Sequence, residues 1–228
     1  MIGIIGAMSV EIDALRAKLT QPQEITQSGI RFTKGKLHGQ EVVLAVCGIG
    51  KVFAAVCAQT MILLFSPKLI LNTGVAGGLD SDLSIGDVVV ATHLVQHDMD
   101  TTPLGDPPGL ISGINRVEFP THEPTRLAMK ACVEAQGVRC KLGAVASGDQ
   151  FVAGGEKKDF IRSTFGASAC EMEGAAIAHT CFVNGVDCAV IRAISDGAND
   201  DSHMDYPTFV AMAAQNSAKA VEAFVKSR

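Results

Sequence analysis

The chain has 228 residues, 47% of them hydrophobic and 19% charged, a balance that supports a large core and argues against disorder. Its formal net charge is −5, and with no basic run it is a poor match for nucleic acid or an anionic membrane. The length fits one α/β domain covering residues 1–228.

The seven cysteines (Cys47, Cys57, Cys132, Cys140, Cys170, Cys181 and Cys188) are odd in number, form no Cys-x-x-Cys pair, and mostly sit in apolar stretches. They read as buried thiols of a reducing compartment rather than a disulfide or zinc framework. The N-terminus lacks a basic leader and runs straight into Glu11 and Asp13. No signal peptide or membrane span is expected, which points to the cytosol.

In chain order, strand-type runs alternate with amphipathic helical patterns. Ile2–Ala7 reads as a buried strand, followed by a helix through Glu11, Leu15 and Leu19. Arg31–Leu37 and Glu41–Cys47 read as a hairpin turning at His38-Gly39-Gln40. Lys51–Leu64 is helical, stopped by Ser66-Pro67. Lys68–Thr73 is a buried strand that ends in Gly74-Val75-Ala76-Gly77-Gly78. Asp87–Val95 and Leu142–Ser147 are further strands. Between them, Asp98 to Pro124 holds five prolines and three glycines and shows no period. A loop of that length is usually functional or faces a partner. Helices follow around Lys157–Phe165 and Gly174–Val183, then a strand over Asp187–Ile194 and a last helix through Phe209–Val225. The expected fold is a mixed central sheet flanked by helices.

Several motif-like features carry little. Gly48-Ile49-Gly50-Lys51 lacks the third glycine of a dinucleotide site and the spacing of a P-loop, so a tight strand-to-helix turn is the simpler reading. His97-Asp98-Met99-Asp100 has no second ligand cluster and reads as a polar loop start. Ser147-Gly148-Asp149 is not a nucleophile elbow. Three carboxylate contexts remain: Glu11 just past the first strand, Glu171-Met172-Glu173 where a strand gives way to a helix, and Ser195-Asp196 closing a hydrophobic strand. Each alone is a common helix-capping or first-turn acid. Together, at strand carboxyl ends, they could converge on one pocket. Glycoside cleavage needs such a set, one acid to protonate the leaving group and another to activate water.

Six segments taken in order resemble the bacterial 5'-methylthioadenosine/S-adenosylhomocysteine nucleosidases. They are Gly3-Ile4-Ile5-Gly6-Ala7-Met8 with Glu11, Gly48-Ile49-Gly50-Lys51, Asn72 to Gly78, Ser147 to Phe151, Glu171 to Ala175, and Arg192 to Asp196. The resemblance implies a purine nucleoside phosphorylase-like fold, a three-layer α/β/α sandwich, and a homodimer. It implies that Asp196 is the acid that protonates adenine N7, with Ser195 holding its carboxyl group. Glu11 would position and deprotonate the attacking water. Glu173 would bind the ribose hydroxyls, with Met172 packed on the sugar. Phe151 would stack on the purine and the Val152 backbone would read its edge. Gly77 belongs to the same substrate-binding set. Met8, Ile49, Tyr206 and Phe209 would line the 5' pocket, closed by the partner's loop near Leu104 and Pro107, whose apolar residues, Pro108 and Leu110 among them, would be exposed on a monomer. No cofactor and no metal is implied.

Two departures bear on substrate. Val75 stands where many relatives carry serine, and Leu104 and Asp106 where aromatic residues are frequent. That version resembles the branch that also cleaves 6-amino-6-deoxyfutalosine. Two competing readings are a phosphate-dependent purine nucleoside phosphorylase of the same fold and a non-catalytic adenosine-binding module. The first needs an arginine near the first strand, where this chain has Glu11 and no arginine before Arg16; an acid there repels phosphate and favours neutral water. The second would not need the three acids.

Overall fold

The computed structural model describes residues 1–197 and 206–228, and of Tyr206 and Pro207 only the backbone. The chain begins with β1 (Ile2–Gly6) and α1 (Ser9–Arg16). Next come β2 (Thr20–Gln27), β3 (Ile30–Leu37) and β4 (Gln40–Val46), then α2 (Lys51–Phe65) and β5 (Leu69–Gly78). β6 (Val88–Gln96), the short β7 (Phe119–Pro120), α3 (Glu123–Glu134) and β8 (Cys140–Ser147) follow. α4 (Gly155–Phe165), β9 (Ala167–Glu171), α5 (Gly174–Asn184), β10 (Asp187–Asp196) and α6 (Tyr206–Lys226) complete it.

The strands form one mixed sheet. β1 lies parallel between β4 and β5, and β10 lies parallel to β5 on its other side. β10 pairs antiparallel with β6, β6 runs parallel to β8, β8 parallel to β9, and β9 returns antiparallel to β5. Five strands therefore close on themselves, with β1, β4, β3 and β2 extending from β5 as an open wing. Helices cover both faces. α2 and α5 share one apolar cluster with residues of β1, β5 and β10, and α1, α3 and α6 share another. Strands covered on both faces are expected to be continuous apolar runs, and β1 (Ile-Gly-Ile-Ile-Gly) and the first part of β5 (Leu-Ile-Leu) are.

Several elements differ from the sequence-based expectation. α1 ends at Arg16, so Leu19 lies beyond it. The hairpin turns on His38 and Gly39, both at positive φ, with Gln40 already in β4; that two-residue geometry matches the right-handed twist of the strands. The glycine-rich Gly74–Gly78 stretch is strand, because β9 and β10 pair with it. β2 carries no apolar alternation and is exposed along its whole length, as an edge strand can be. α3 begins with Pro124 in its first turn and buries Thr125, Met129 and Val133. The long segment after Asp98 is structured by a 3-10 turn at Thr102–Leu104 and an Ile111–Arg116 bridge. All seven cysteines are free thiols, five of them buried. Among the described residues no helix is long and apolar enough to cross a membrane.

Candidate active site

A cleft of about 640 Å³, part of it open to solvent, lies where β1, β5, β9 and β10 end. Ten of the residues expected from sequence line it: Met8, Glu11, Ile49, Gly77, Phe151, Val152, Met172, Glu173, Ser195 and Asp196. Leu104 is 83% exposed and Pro107 is exposed, both outside the cleft of their own chain. Phe209, half-buried in the first turn of α6, is not part of its wall. The Tyr206 side chain lies outside the described residues. Pro108 and Leu110 are half-buried rather than exposed, because the turns after Asp98 fold them inward, so Leu104 and Pro107 are left as the exposed apolar tip.

Glu11 is 3% exposed and serves two purposes. As the third residue of α1 its Oε2 accepts the backbone N–H of Ala7 (2.7 Å) and Met8 (2.9 Å), capping the helix. Its Oε1 accepts the Val75 N–H of β5 at 3.1 Å. The carboxylate is therefore fixed by three backbone donors from two elements. Gly74 makes this possible: a Cβ there would lie 2.5 Å from Glu11 Oε1 and 3.0 Å from Arg192 Nη1. Burial raises the Glu11 pKa, with Arg192 and the backbone donors opposing.

Glu173 is the residue preceding α5, and its Oε1 accepts the Gly50 N–H at 2.8 Å. Gly50 has φ of +100°, a conformation that L side chains rarely adopt. The Gly48–Lys51 turn thus holds a site carboxylate as well as starting a helix. Burial, reinforced by the neighbouring charge of Glu171, pushes the Glu173 pKa up to about 7 against the pull of Arg192 and the Gly50 bond.

Beneath these acids lies a network that the sequence reading left without a role. Arg192, 1% exposed, donates through Nε (3.1 Å) and Nη2 to Glu171 and through Nη2 to Asn72, and its Nη2 stands 4.0 Å from Glu173 Oε2. Glu171 also accepts from Ser147 Oγ and from the N–H groups of Glu173 (3.1 Å) and Gly174 (2.7 Å). Asn72 Nδ2 donates to Ile5 O at 3.0 Å. One guanidinium thus ties β1, β5, β9 and β10 together, and three carboxylates surround it. Breaking a buried pair of this kind is strongly destabilising, because it strands an uncompensated charge. A run such as Arg-Ala-Ile-Ser-Asp inside an apolar strand was the available signal: an arginine there needs a buried acid.

At the far side of the cleft, β10 slips register against β5 between Ile194 and Asp196. In a regular strand Ser195 and Asp196 would point to opposite faces. The bulge lets both face the cleft, and Ser195 Oγ donates to Asp196 Oδ1 at 2.9 Å. Gly77 opposite has no Cβ, which would otherwise lie 2.9 Å from Asp196 Oδ2. Phe151 stands beside this acid, 61% exposed. Gln150, Cys170, Ala7 and Ala76 also line the cleft. Among the described residues lining it, none is a lysine or arginine.

The arrangement defines a class: an anionic, half-apolar cleft of an α/β sandwich with one acid at each end. The family model described as the Phosphorylase superfamily matches residues 1–226. A Staphylococcus carnosus 5'-methylthioadenosine/S-adenosylhomocysteine nucleosidase is 41% identical over 228 residues, covering 100% of both chains. The crystal structure of the Neisseria meningitidis 5'-methylthioadenosine/S-adenosylhomocysteine nucleosidase in complex with methylthio-immucillin-A superposes with a TM-score of 0.94 at 37% identity, covering 100% of this chain and 99% of that one. A futalosine hydrolase of Helicobacter pylori superposes with the same score at 40% identity, covering 100% and 97%. The chain belongs to the Phosphorylase superfamily and, within it, to the 5'-methylthioadenosine/S-adenosylhomocysteine nucleosidase family.

Proposed function

We propose that this protein hydrolyses the N-glycosidic bond of 5'-thio-substituted adenosines, 5'-methylthioadenosine and S-adenosylhomocysteine, releasing adenine and the 5-substituted ribose. One observation carries the choice of water over phosphate: the cleft presents Glu11 and Glu173, while the nearest guanidinium is already enclosed by Glu171. A phosphate dianion would meet carboxylates with no free cation lining the described cleft, whereas neutral water meets a base.

In this reading Asp196 transfers its proton to purine N7 as the C1'–N9 bond breaks, so adenine leaves neutral. Positive charge left on the ribose faces Glu173 and Glu11. Glu11, fixed by three backbone donors, takes the proton of the attacking water, and its burial-raised proton affinity makes it a better base than a solvated carboxylate. Phe151 stacks on the purine, the Val152 backbone reads its edge, and Met172 packs on the sugar; Met8 and Ile49 favour an apolar 5' substituent. Val75, whose backbone N–H meets the Glu11 carboxylate, lines the cleft and has no hydroxyl to offer. Together with the likeness to a futalosine hydrolase, that supports 6-amino-6-deoxyfutalosine as a second substrate.

The working unit is a homodimer in this reading. α2 exposes Val52, Phe53, Val56 and Leu63, and the adjoining α5 exposes Phe182 and Val183. Apolar side chains exposed together on two adjoining helices are a liability on a monomer. Its partner would bring Leu104 and Pro107 to the open 5' end of the cleft. The test is incubation of each nucleoside in phosphate-free buffer with chromatography of the products, alongside solution mass. Adenine and free methylthioribose from a dimer are expected. A phosphate requirement with a ribose-1-phosphate product would place the protein with the phosphorylases.

A further inference from the structure

α4 turns two positions inward, Lys158 and Ile161. Ile161 belongs to an apolar cluster, but Lys158 is a lysine only 6% exposed. An ammonium taken out of water is costly unless paired. Its partners here are few and specific. Nζ donates to Gly197 O at 2.7 Å and stands 3.7 Å from Asp196 Oδ2. Asp196 Oδ1 is occupied by the Ser195 hydroxyl, so its two oxygens differ: one is held by a neutral donor, the other faces a cation. The other group turned toward this acid is the Cys170 thiol of β9, which burial keeps protonated by pushing its pKa to about 12. Lys158 is thus the one cation placed against Asp196 among the described residues.

We propose that Lys158 is a positioning residue for the proton donor: it tethers the Asp196–Gly197 end of β10 and faces the carboxylate that Asp196 becomes when it gives up its proton. This inference rests on the nucleosidase reading and deepens it. When the Asp196 O–H bond breaks and the N7–H bond forms, the C1'–N9 electron pair passes into the purine and Asp196 is left as a carboxylate. That carboxylate faces the ammonium, so Lys158 stabilises the state after transfer more than the state before it, which is the condition for raising kcat.

The test uses the full chain and three substitutions, read by kcat on methylthioadenosine and by affinity for its 7-deaza analogue, which has no N7 to protonate. Lys158→Gln keeps a donor for Gly197 O and removes the charge, Lys158→Met removes both, and Lys158→Arg keeps the charge. Gln and Met are expected to lower kcat at least about tenfold. Arg is expected to restore kcat to within about threefold of wild type, and the 7-deaza analogue to bind every variant within about threefold of wild type, since its contacts do not involve the transferred proton. If the Met variant does not fold, the Gln and Arg pair decides alone. Wild-type kcat in Lys158→Gln overturns the proposal. So does a fall in kcat matched by an equal loss of 7-deaza binding, which marks Lys158 as a structural filler. A wild-type enzyme that releases no adenine removes the nucleosidase reading, and this inference with it.

Discussion

On the Glu11 side of the cleft, backbone N–H groups of Ala7, Met8, Val75 and Gly50 hold two buried carboxylates. Across the cleft, Asp196 has one hydroxyl on Oδ1 and an ammonium at 3.7 Å, and Phe151 beside it is largely exposed. Backbone donors are part of the main chain and cannot rotate away, whereas side-chain partners have torsions of their own. The comparison teaches where rigidity is placed: the groups facing water and sugar are preorganised before substrate arrives, and the groups facing the purine are completed by its binding. Substitutions on the two sides should therefore fail in different ways.

The largest effects are expected from the two acids at the ends. Asp196→Asn preserves size but removes the proton that N7 receives, and Glu11→Gln preserves shape but removes the base for water. Each should lower kcat by at least about 10²-fold while adenine binding survives, measured by steady-state kinetics and by calorimetric titration of adenine. Near-normal kcat in Asp196→Asn would mean that the acid is misassigned. Next in size is Gly74→Ala, which touches no substrate. Its Cβ would fall 2.5 Å from Glu11 Oε1, so the rigid side must shift. A loss of about tenfold or more in kcat is expected, because misplacing a catalytic group by an ångström is enough. The equivalent Gly77→Ala, whose Cβ meets the Asp196 carboxyl oxygen at 2.9 Å, should be milder, since that side chain can give way.

What the sequence made legible follows the same division. Apolar runs bounded by turn residues located β1, β4, β5, β6 and β10, because strands buried on both faces have no other composition. β2 was illegible for the opposite reason: Thr-Gln-Pro-Gln-Glu-Ile-Thr-Gln is exposed throughout, and only its pairing with β3 makes it a strand. α3 did carry a signal, with Pro124 in its first turn and Thr125, Met129 and Val133 at helical spacing, but the proline-rich stretch before it masked the start. The three acids stood out because they follow strand ends. Arg192, Asn72 and Lys158 did not, because their meaning is a partner far along the chain: Asn72 lies 120 residues from Arg192 and Lys158 pairs across α4 and β10. The bulge that turns both Ser195 and Asp196 to the cleft is a matter of register, which local composition does not encode.

Glu173 offers a test with two readouts of opposite sign. Its proton affinity is raised in the fold, from an ordinary 4.5 to about 7. A raised acid stabilises the native state fully below its unfolded value, and that contribution is lost as pH rises from about 4.5 through 7. Above that window the buried anion works against the fold by on the order of 3 kcal/mol. Glu173→Gln is neutral at every pH, so it should be more stable than wild type at pH 8 by several degrees in Tm and nearly equal at pH 4.5. Activity should move the other way, with KM rising and kcat falling, as ribose contacts and charge stabilisation are lost together. Wild-type kcat/KM should also rise with pH through about 7 as Glu173 ionises. Thermal melts at the two pH values check the first half; a variant less stable than wild type at pH 8 would show that burial is not what holds the proton on.

The smallest effect is expected on the purine side, from Phe151→Leu. Leucine keeps most of the apolar area offered to a purine but loses the aromatic face, a difference of about 0.5–1.5 kcal/mol. That corresponds to a rise in KM of roughly two- to tenfold. The reacting atoms are Asp196, N7, C1' and the Glu11-bound water, and the Phe151 ring is none of them, so stacking should hold the ground state and the transition state about equally. Loss of uniform binding of that sort raises KM and leaves kcat unchanged. The substitution thus separates holding the purine from protonating it, which Asp196→Asn does from the other direction. If kcat fell with KM unchanged, Phe151 would be orienting N7 toward Asp196 during the proton transfer, and the exposed side of the cleft would have to count as part of the catalytic geometry.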